Sequence, residues 1–324
     1  MVYPEEKKST FWRNVFEISG LLLLVFLIRT IGFGLYQVPT GSMETTMLVG
    51  ERFFADKLTY QFRNPRRGEV IAFNEPPAFY EYSTNKLKNL FQHYVWGPSN
   101  WTKRVIGMPG DEVKGVIEDG KPVIYLNGKK LDEPYLNKYP LIYVWKEDPA
   151  AINLKIQKFA HSLFLTGISR DDVERITQQQ LQQYITHKSY DSDASFEDQP
   201  FYRIDPKRID RNQDGKYDLV WPGSVMPSKQ SNNWPAKREN YWNGSDEFKV
   251  KLGPDEYWLM GDNRLGSKDA RAFGPVKRNF IHGRIIFLIW SHDSDESWWI
   301  VDLIKHPIDF WKRMRWSRFF KWIH

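Results

Sequence analysis

With no cysteine among its 324 residues, the chain has no thiolate nucleophile, no disulfide and no Cys-ligated zinc. Its seven histidines, at positions 93, 161, 187, 282, 292, 306 and 324, are scattered and form no H-E-x-x-H pair, which argues against a zinc hydrolase. G-x-S-x-G, the strained turn that presents a serine in α/β-hydrolases, is also missing. A serine can instead use a lysine as its base, if burial lowers the amine pKa until the neutral form is available. S-x-x-K spacing occurs only at Ser83 and Lys86, within the polar "YSTNKLK", and reads as a solvated loop. Three other stretches hold candidate groups. "VPTGSMETTMLVGERF" sets Ser42 in a Gly-Ser-Met turn, "WTKRVIGMPGDEV" sets Lys103 and Arg104 ahead of an apolar strand, and "MGDNRLGSKDARAFGPV" packs glycines and opposite charges behind another. Taken singly, the lysine reads as a solvated strand edge and the third stretch as a turn closed by Asp269 and Arg271.

These groups need elements to position them. "ISGLLLLVFLI", Ile18 to Ile28, covers roughly half of a bilayer core at ~1.5 Å per residue. Carried on to Tyr36 it is long enough to span, provided Arg29 snorkels and Glu17 sits at the headgroups. The expectation is one transmembrane helix over residues 15–36 rather than a buried core helix. A cleaved signal peptide is disfavoured, because no A-x-A-like site follows. Lys7, Lys8 and Arg13 before the span, against Arg52 and Lys57 after it, weakly place residues 1–14 in the cytoplasm. Beyond it, β-rich runs at 51–60, 68–76, 111–131, 255–262 and 283–290 predict a mainly antiparallel sheet over 37–133 and 250–295. Asp119-Gly120 and Asn127-Gly128 are hairpin signals. Between 134 and 249, "AINLKIQKFAHSLFLTG" and "SRDDVERITQQQLQQYI" have helical spacing, so an inserted, partly helical subdomain is expected.

Charge narrows the partners. The net charge is +6, and Lys312, Arg313, Arg315, Arg318 and Lys321 supply five of it, leaving +1 for the body. Such a body does not track a phosphate backbone, so nucleic acid is not an expected partner. The tail, within 296–324, places Trp316, Phe319, Phe320 and Ile323 at helical spacing among cations. A basic aromatic helix on anionic phospholipid fits that pattern, with docking onto the body as the other option. "DRNQDGKYD" offers Asp210, Asn212, Asp214 and Asp218 in calcium-loop spacing, but lacks the glutamate at position twelve; a solvated Asx-rich turn is the default.

Together and in order, the apolar segment, P-T-G-S-M-E-T-T-M, K-R-V-I-G-M-P-G-D-E-V and G-D-N-R-L-G-S-K-D-A-R-A-F-G-P-V resemble the bacterial type I signal peptidases. The resemblance covers about residues 11–131 and 250–290 and leaves out the insertion. It implies a mainly β, antiparallel catalytic domain of the signal-peptidase type, and a membrane-anchored serine endopeptidase that removes N-terminal signal peptides from exported precursors, cutting after small residues. Ser42 would be the nucleophile and Lys103 the general base, with no cofactor. The Ser42 N–H and the Thr40 hydroxyl would form the oxyanion hole, and Ser267 would orient the amine. Asp269 and Arg271 match a supporting ion pair, and Asp262, Asn263 and Arg264 the turn that shapes the site. Arg104 would be a further supporting residue. Precursor would add as a strand along about 37–41 and 100–102, with Val38, Met43 and Trp101 lining its pockets. Its place would be the bacterial inner membrane, single-pass, with the catalytic domain outside.

The chain departs from the family at Thr45, often proline, at Leu265-Gly266, often Asp-Asn, and at Ala270, often serine. These bear on the shape of the third stretch and leave both dyad residues in place. Two other readings stay open: a catalytically dead membrane-tethered assembly protein, and a related Ser-Lys peptidase with one dedicated substrate. Self-cleaving repressors share the fold, but the apolar segment and third stretch disfavour them.

Overall fold

A computed structural model of the protein describes residues 7–28, 32–75, 100–195, 198–199, 201, 204–212, 214–221, 240–293 and 299–324. Ser83, Lys86 and Arg29 lie outside these residues. The architecture is mainly antiparallel β. A seven-stranded sheet runs β1-β2-β13-β3-β4-β11-β12, where β1 is Phe33–Gln37, β2 Arg52–Asp56, β3 Val70–Asn74, β4 Asn100–Gly107, β11 Glu256–Met260, β12 Val276–Lys277 and β13 Ile281–Trp290. A four-stranded sheet, β10-β5-β6-β7, joins Phe248–Lys251, Glu112–Glu118, Lys121–Leu126 and Lys129–Lys130. The two hairpin signals sit where expected. Asp119 and Gly120 have φ of 50° and 73°, Asn127 and Gly128 of 50° and 79°, which is the left-handed pair that lets a two-residue turn follow the strand twist.

Alternation explains the packing. In β2, Phe53 and Ala55 point inward while Arg52, Phe54 and Asp56 are half-buried. Val38, Met43, Met47, Phe53, Val70, Ile285 and Leu288 then form one cluster beneath the turn that carries Ser42. A second cluster, including Ile106, Val113, Ile124, Phe248 and Trp258, fills the space between the two sheets.

The insertion has its own small frame. Strands β8, Leu141–Trp145, and β9, Ile185–Ser189, pair with each other and bracket helices Pro149–Leu165 and Arg170–Gln182. Asp148 caps the first helix by accepting from Ala150 N at 2.7 Å, and Ser169 caps the second by accepting from Asp172 N at 3.3 Å. Its apolar cluster of Ile142, Val144, Tyr190, Phe201, Ile204 and Ile209 also contains Leu48, six residues after Ser42.

Two expectations change. The helix starting at Lys7 ends at Leu27, and from Phe33 the chain is β1, so 15–36 is not one span. The cause is pairing: Phe33 to Gln37 bond in register with Asp56 to Arg52, which commits their backbone groups to the sheet. Among the described residues no helix is long and apolar enough to cross a membrane. The tail is likewise no continuous helix. Short helices Trp299–Lys305 and Pro307–Lys312 and a turn at Trp316–Arg318 lead to Ile323, buried in the cluster beneath Ser42. Its cations find acids on the body: Arg315 pairs with Asp293 at 2.8 Å, and Arg318 pairs with Glu51. The calcium-like loop keeps its default reading as an Asx-rich turn, with Asn212 spent on its own backbone. Asn212 Oδ1 accepts from Asp214 N at 3.1 Å and Lys216 N at 2.9 Å. Among the described residues, no cluster of three or more His, Asp or Glu could hold a metal.

Candidate active site

Ser42 lies in a single 3₁₀ turn, Gly41–Met43, entered from Thr40 in extended conformation. Its position in the chain is short-tethered: six residues from Tyr36 reach at most ~20 Å. Lys103 projects from β4, whose register with β3 places it opposite Ile71. Lys103 Nζ donates to Ser42 Oγ at 2.9 Å and to Thr102 O at 3.0 Å. Both side chains are buried, and Nζ stands 5.9 Å from the centre of the Trp101 ring.

Burial dominates the electrostatics of Lys103. Desolvation pushes its pKa down from 10.5 to about 8, with the charge of Arg271 acting in the same direction and Asp269 and Asp262 opposing. At pH near 8 half of the amines are therefore neutral, each with a lone pair facing a serine hydroxyl. This arrangement can deprotonate Ser42 as it attacks a carbonyl.

The third stretch wraps the pair. Asn263 N donates to Ser42 O at 3.1 Å and its side chain donates to Gly41 O at 3.0 Å, so the first two carbonyls of the serine's turn are held by one residue. Burial alone would raise the Asp269 pKa, but two hydrogen bonds and the charge of Arg271 outweigh it and hold the carboxyl below its usual range. Asp262 takes a two-pronged contact from Arg104, at 2.8 and 2.7 Å. Arg264 is held by its own Gly261 carbonyl at 3.0 Å and by Glu133.

Two expected residues are placed less directly. Ser267 is beside the site, yet its buried hydroxyl has no hydrogen-bond partner among the described residues, and the amine's contacts go to Ser42 and Thr102 instead. Thr40 is exposed on the groove wall and makes no capping hydrogen bond. The groove, of about 450 Å³, is lined by Val38, Thr40, Met43 and Trp101, as the sequence suggests, and also by Met47, Ala72 and Lys268. Along its floor, β11 pairs with β4 only from Arg104 onward, so Asn100 to Thr102 keep one backbone edge free of β11.

Several supporting groups escaped the sequence. Glu133, Asn137 and Ser189 reach Arg264, Asp262 and Asn263 across 131, 125 and 74 positions, and Asp246 reaches Arg271 across 25, separations that no local spacing encodes. Thr46, which donates to Asp262, could have been found, since it falls inside the first motif.

Gly261 is where backbone must approach closely. A Cβ there would stand 2.2 Å from Ser267 Oγ and 2.5 Å from Ser42 O. Gly261→Ala is expected to cost about 1–3 kcal/mol of stability and to lower turnover, since Ser42 O must move. Thermal melting with turnover measured on the same sample checks this.

Residues 12–290 match the family described as Signal peptidase, peptidase S26. Signal peptidase I of Buchnera aphidicola subsp. Acyrthosiphon pisum is 23% identical over 301 residues, spanning 92% of this chain and 81% of the relative. That of Aquifex aeolicus is 25% identical over 282 residues, spanning 86% and 84%. A probable signal peptidase I-2 of Synechocystis is 35% identical over 140 residues, covering 42% of this chain and 56% of that protein. A crystal structure of an Enterococcus faecalis signal peptidase I matches 68% of this chain and 97% of its own, at 18% identity and a TM-score of 0.25. With the family match running through Ser42, Lys103 and the stretch around Ser267, the chain belongs to the signal peptidase family, peptidase S26.

Proposed function

We propose that the protein is a serine endopeptidase that removes signal peptides from exported precursors, with Ser42 as nucleophile and Lys103 as its base. The observation that carries it is the 2.9 Å contact between a buried, desolvated lysine amine and Ser42 Oγ at the end of a groove with an open strand edge. Precursor enters extended, adding backbone hydrogen bonds along Asn100 to Thr102. Ser42 attacks the carbonyl at the cut as Lys103 takes its proton, and the same amine then passes a proton to the departing amine of the mature protein. Water, deprotonated by Lys103, attacks the acyl-serine and releases the signal peptide. The narrow groove beside Val38, Met43 and Ala72 favours small residues before the cut.

Membrane association on the outer side of the cytoplasmic membrane completes the reading. What supports it is exposed apolar surface. Phe16 and Leu21 to Phe26 are all exposed on the first helix, and exposed Phe33 stacks on half-buried Phe54 and Phe287 across β1, β2 and β13, with exposed Phe320 of the tail tilted against Phe287.

The test incubates the purified full chain in detergent with a secretory precursor and identifies the new N-terminus by mass spectrometry. A cut after a small residue is expected, lost when that residue is replaced by tryptophan. Because the amine must be neutral, the rate should climb with pH and reach half its limit near pH 8. A rate that falls as pH rises from 6 to 8 would remove Lys103 as the base. An intact precursor would favour the tethered-assembly reading.

A further inference from the structure

The inserted segment touches the nucleophile turn at one buried point. Ser189, the last residue of β9, is 1% exposed. Its Oγ accepts from Asn137 Nδ2 at 2.9 Å and from Asn263 Nδ2 at 3.4 Å. That same Asn263 amide group donates to Gly41 O, and its backbone N–H to Ser42 O. With both lone-pair directions of its oxygen engaged by amides, Ser189 has one group left to give, its own proton.

Glu44 lies where that proton can go. Two residues after Ser42, Glu44 is fully buried, and its carboxyl packs beneath the turn: a Cβ on Gly41 would stand 2.8 Å from Glu44 Oε1. Ser189 and Lys188 of β9 and Arg315 of the tail are the polar groups that face it, and neither carboxyl oxygen closes a hydrogen bond. Burial raises the carboxyl's pKa to about 7, against the opposing pull of Ser189 and those cations. A carboxyl in this position, with neither oxygen otherwise partnered, is costly to bury and gains nothing for the core. Leu48, four residues on, is meanwhile buried in the insertion's own apolar cluster. So the turn is fixed to the insertion by the hydrogen bonds that Asn263 makes to Ser189 and Gly41 before Thr45, and by the apolar contact of Leu48 after Met47.

We propose that Ser189 and Glu44 are positioning residues for Ser42, forming the link through which the inserted segment sets the nucleophile turn. The idea rests on Ser42 being the nucleophile. It makes the insertion part of the catalytic machinery rather than an appendage. Neither residue touches the reacting atoms, and both act through Asn263 and Gly41.

The experiment measures kcat and KM for precursor cleavage by the full chain and by Ser189→Ala, Ser189→Thr, Glu44→Leu and the Ser189→Ala/Glu44→Leu double variant. Melting temperatures are recorded alongside. Each alanine or leucine variant should lose about tenfold or more in kcat, as small misplacements of a reacting group do, with KM within about twofold. Ser189→Thr, which keeps the hydroxyl, should recover most of that loss. Because the two residues form one link, the double variant should be no worse than about twice the weaker single. Glu44→Leu should melt no lower than wild type, which separates positioning from loss of fold. A kcat for Ser189→Ala within twofold of wild type overturns the link, and so does a double variant whose losses multiply, or a Thr variant as impaired as Ala. If wild type itself leaves the precursor intact, the functional reading fails first, and that outcome is distinct from all of these.

Discussion

Lys103→Met is expected to reduce precursor cleavage by at least about 10⁴-fold, and Ser42→Ala by as much, with the double variant no worse than either. The reason is that a nucleophile and its base act as one unit, so removing one leaves the other with nothing to do. Lys103→Arg should fail equally. A guanidinium keeps the charge and much of the stem but stays protonated, and so cannot accept the serine proton. Stability should move the opposite way. Lys103 has a folded pKa of about 8 against 10.5 for an ordinary lysine. Below pH 8 the folded state must carry a buried cation, a cost of about 3 kcal/mol. As pH rises from 8 toward 10.5 the folded state sheds its proton first, and the cost is relieved. Lys103→Met should therefore melt higher than wild type at pH 7, with the gap closing toward pH 10.5. Cleavage that survives in Lys103→Met or Lys103→Arg would remove the lysine from its role.

What was readable beforehand follows from how far each partner lies along the chain. Ser42, Lys103 and the stretch at 260–276 sit inside continuous motifs, and the turn residues at 119–120 and 127–128 need only their neighbours to specify a hairpin. Register across β3 and β4, which brings Ile71 opposite Lys103, is not read in that way, since both strands are near-continuously buried over most of their length rather than alternating. Contacts between distant segments leave no such mark. Asp246 meets Arg271 25 residues away with β10 and β11 between them, and Ser189 reaches Asn263 across 74. The tail shows how local pattern can mislead. Helical spacing of Trp316, Phe319 and Ile323 is real, but Arg318 gains more from Glu51, and Ile323 from the cluster under Ser42, than either would in a continuous helix. At the other end, apolar composition to Tyr36 suggested one long helix. The unpaired edge of β2 offered Phe33 to Gln37 a strand partner instead.

Arg104→Ala should be the most destabilising single change on the face behind the dyad, by about 3–5 kcal/mol. Arg104 is 1% exposed and its fork holds both oxygens of Asp262, itself fully buried. Its remaining nitrogen donates at 2.6 Å to the carbonyls of Gly68 and His324, and its Cζ lies 4.1 Å from the centre of the Tyr135 ring. Deleting it leaves a carboxylate in the interior with only the Thr46 hydroxyl for company, and two carbonyls unpaired. Turnover should fall as well. Asp262 O accepts from Asn137 N at 3.0 Å and its neighbour Asn263 holds Ser42 O, so a shift of Asp262 reaches the nucleophile. Arg104→Lys should fall between, since an ammonium restores charge but cannot match two oxygens and two carbonyls at once. The discriminating variant is Arg104→Met with Asp262→Leu. If the loss comes from the stranded charge, removing both partners should melt higher than Arg104→Ala, because an apolar pair of similar volume carries no desolvation penalty. A double variant that melts lower than Arg104→Ala would instead assign the stability to Arg104's contacts with Gly68, His324 and Tyr135.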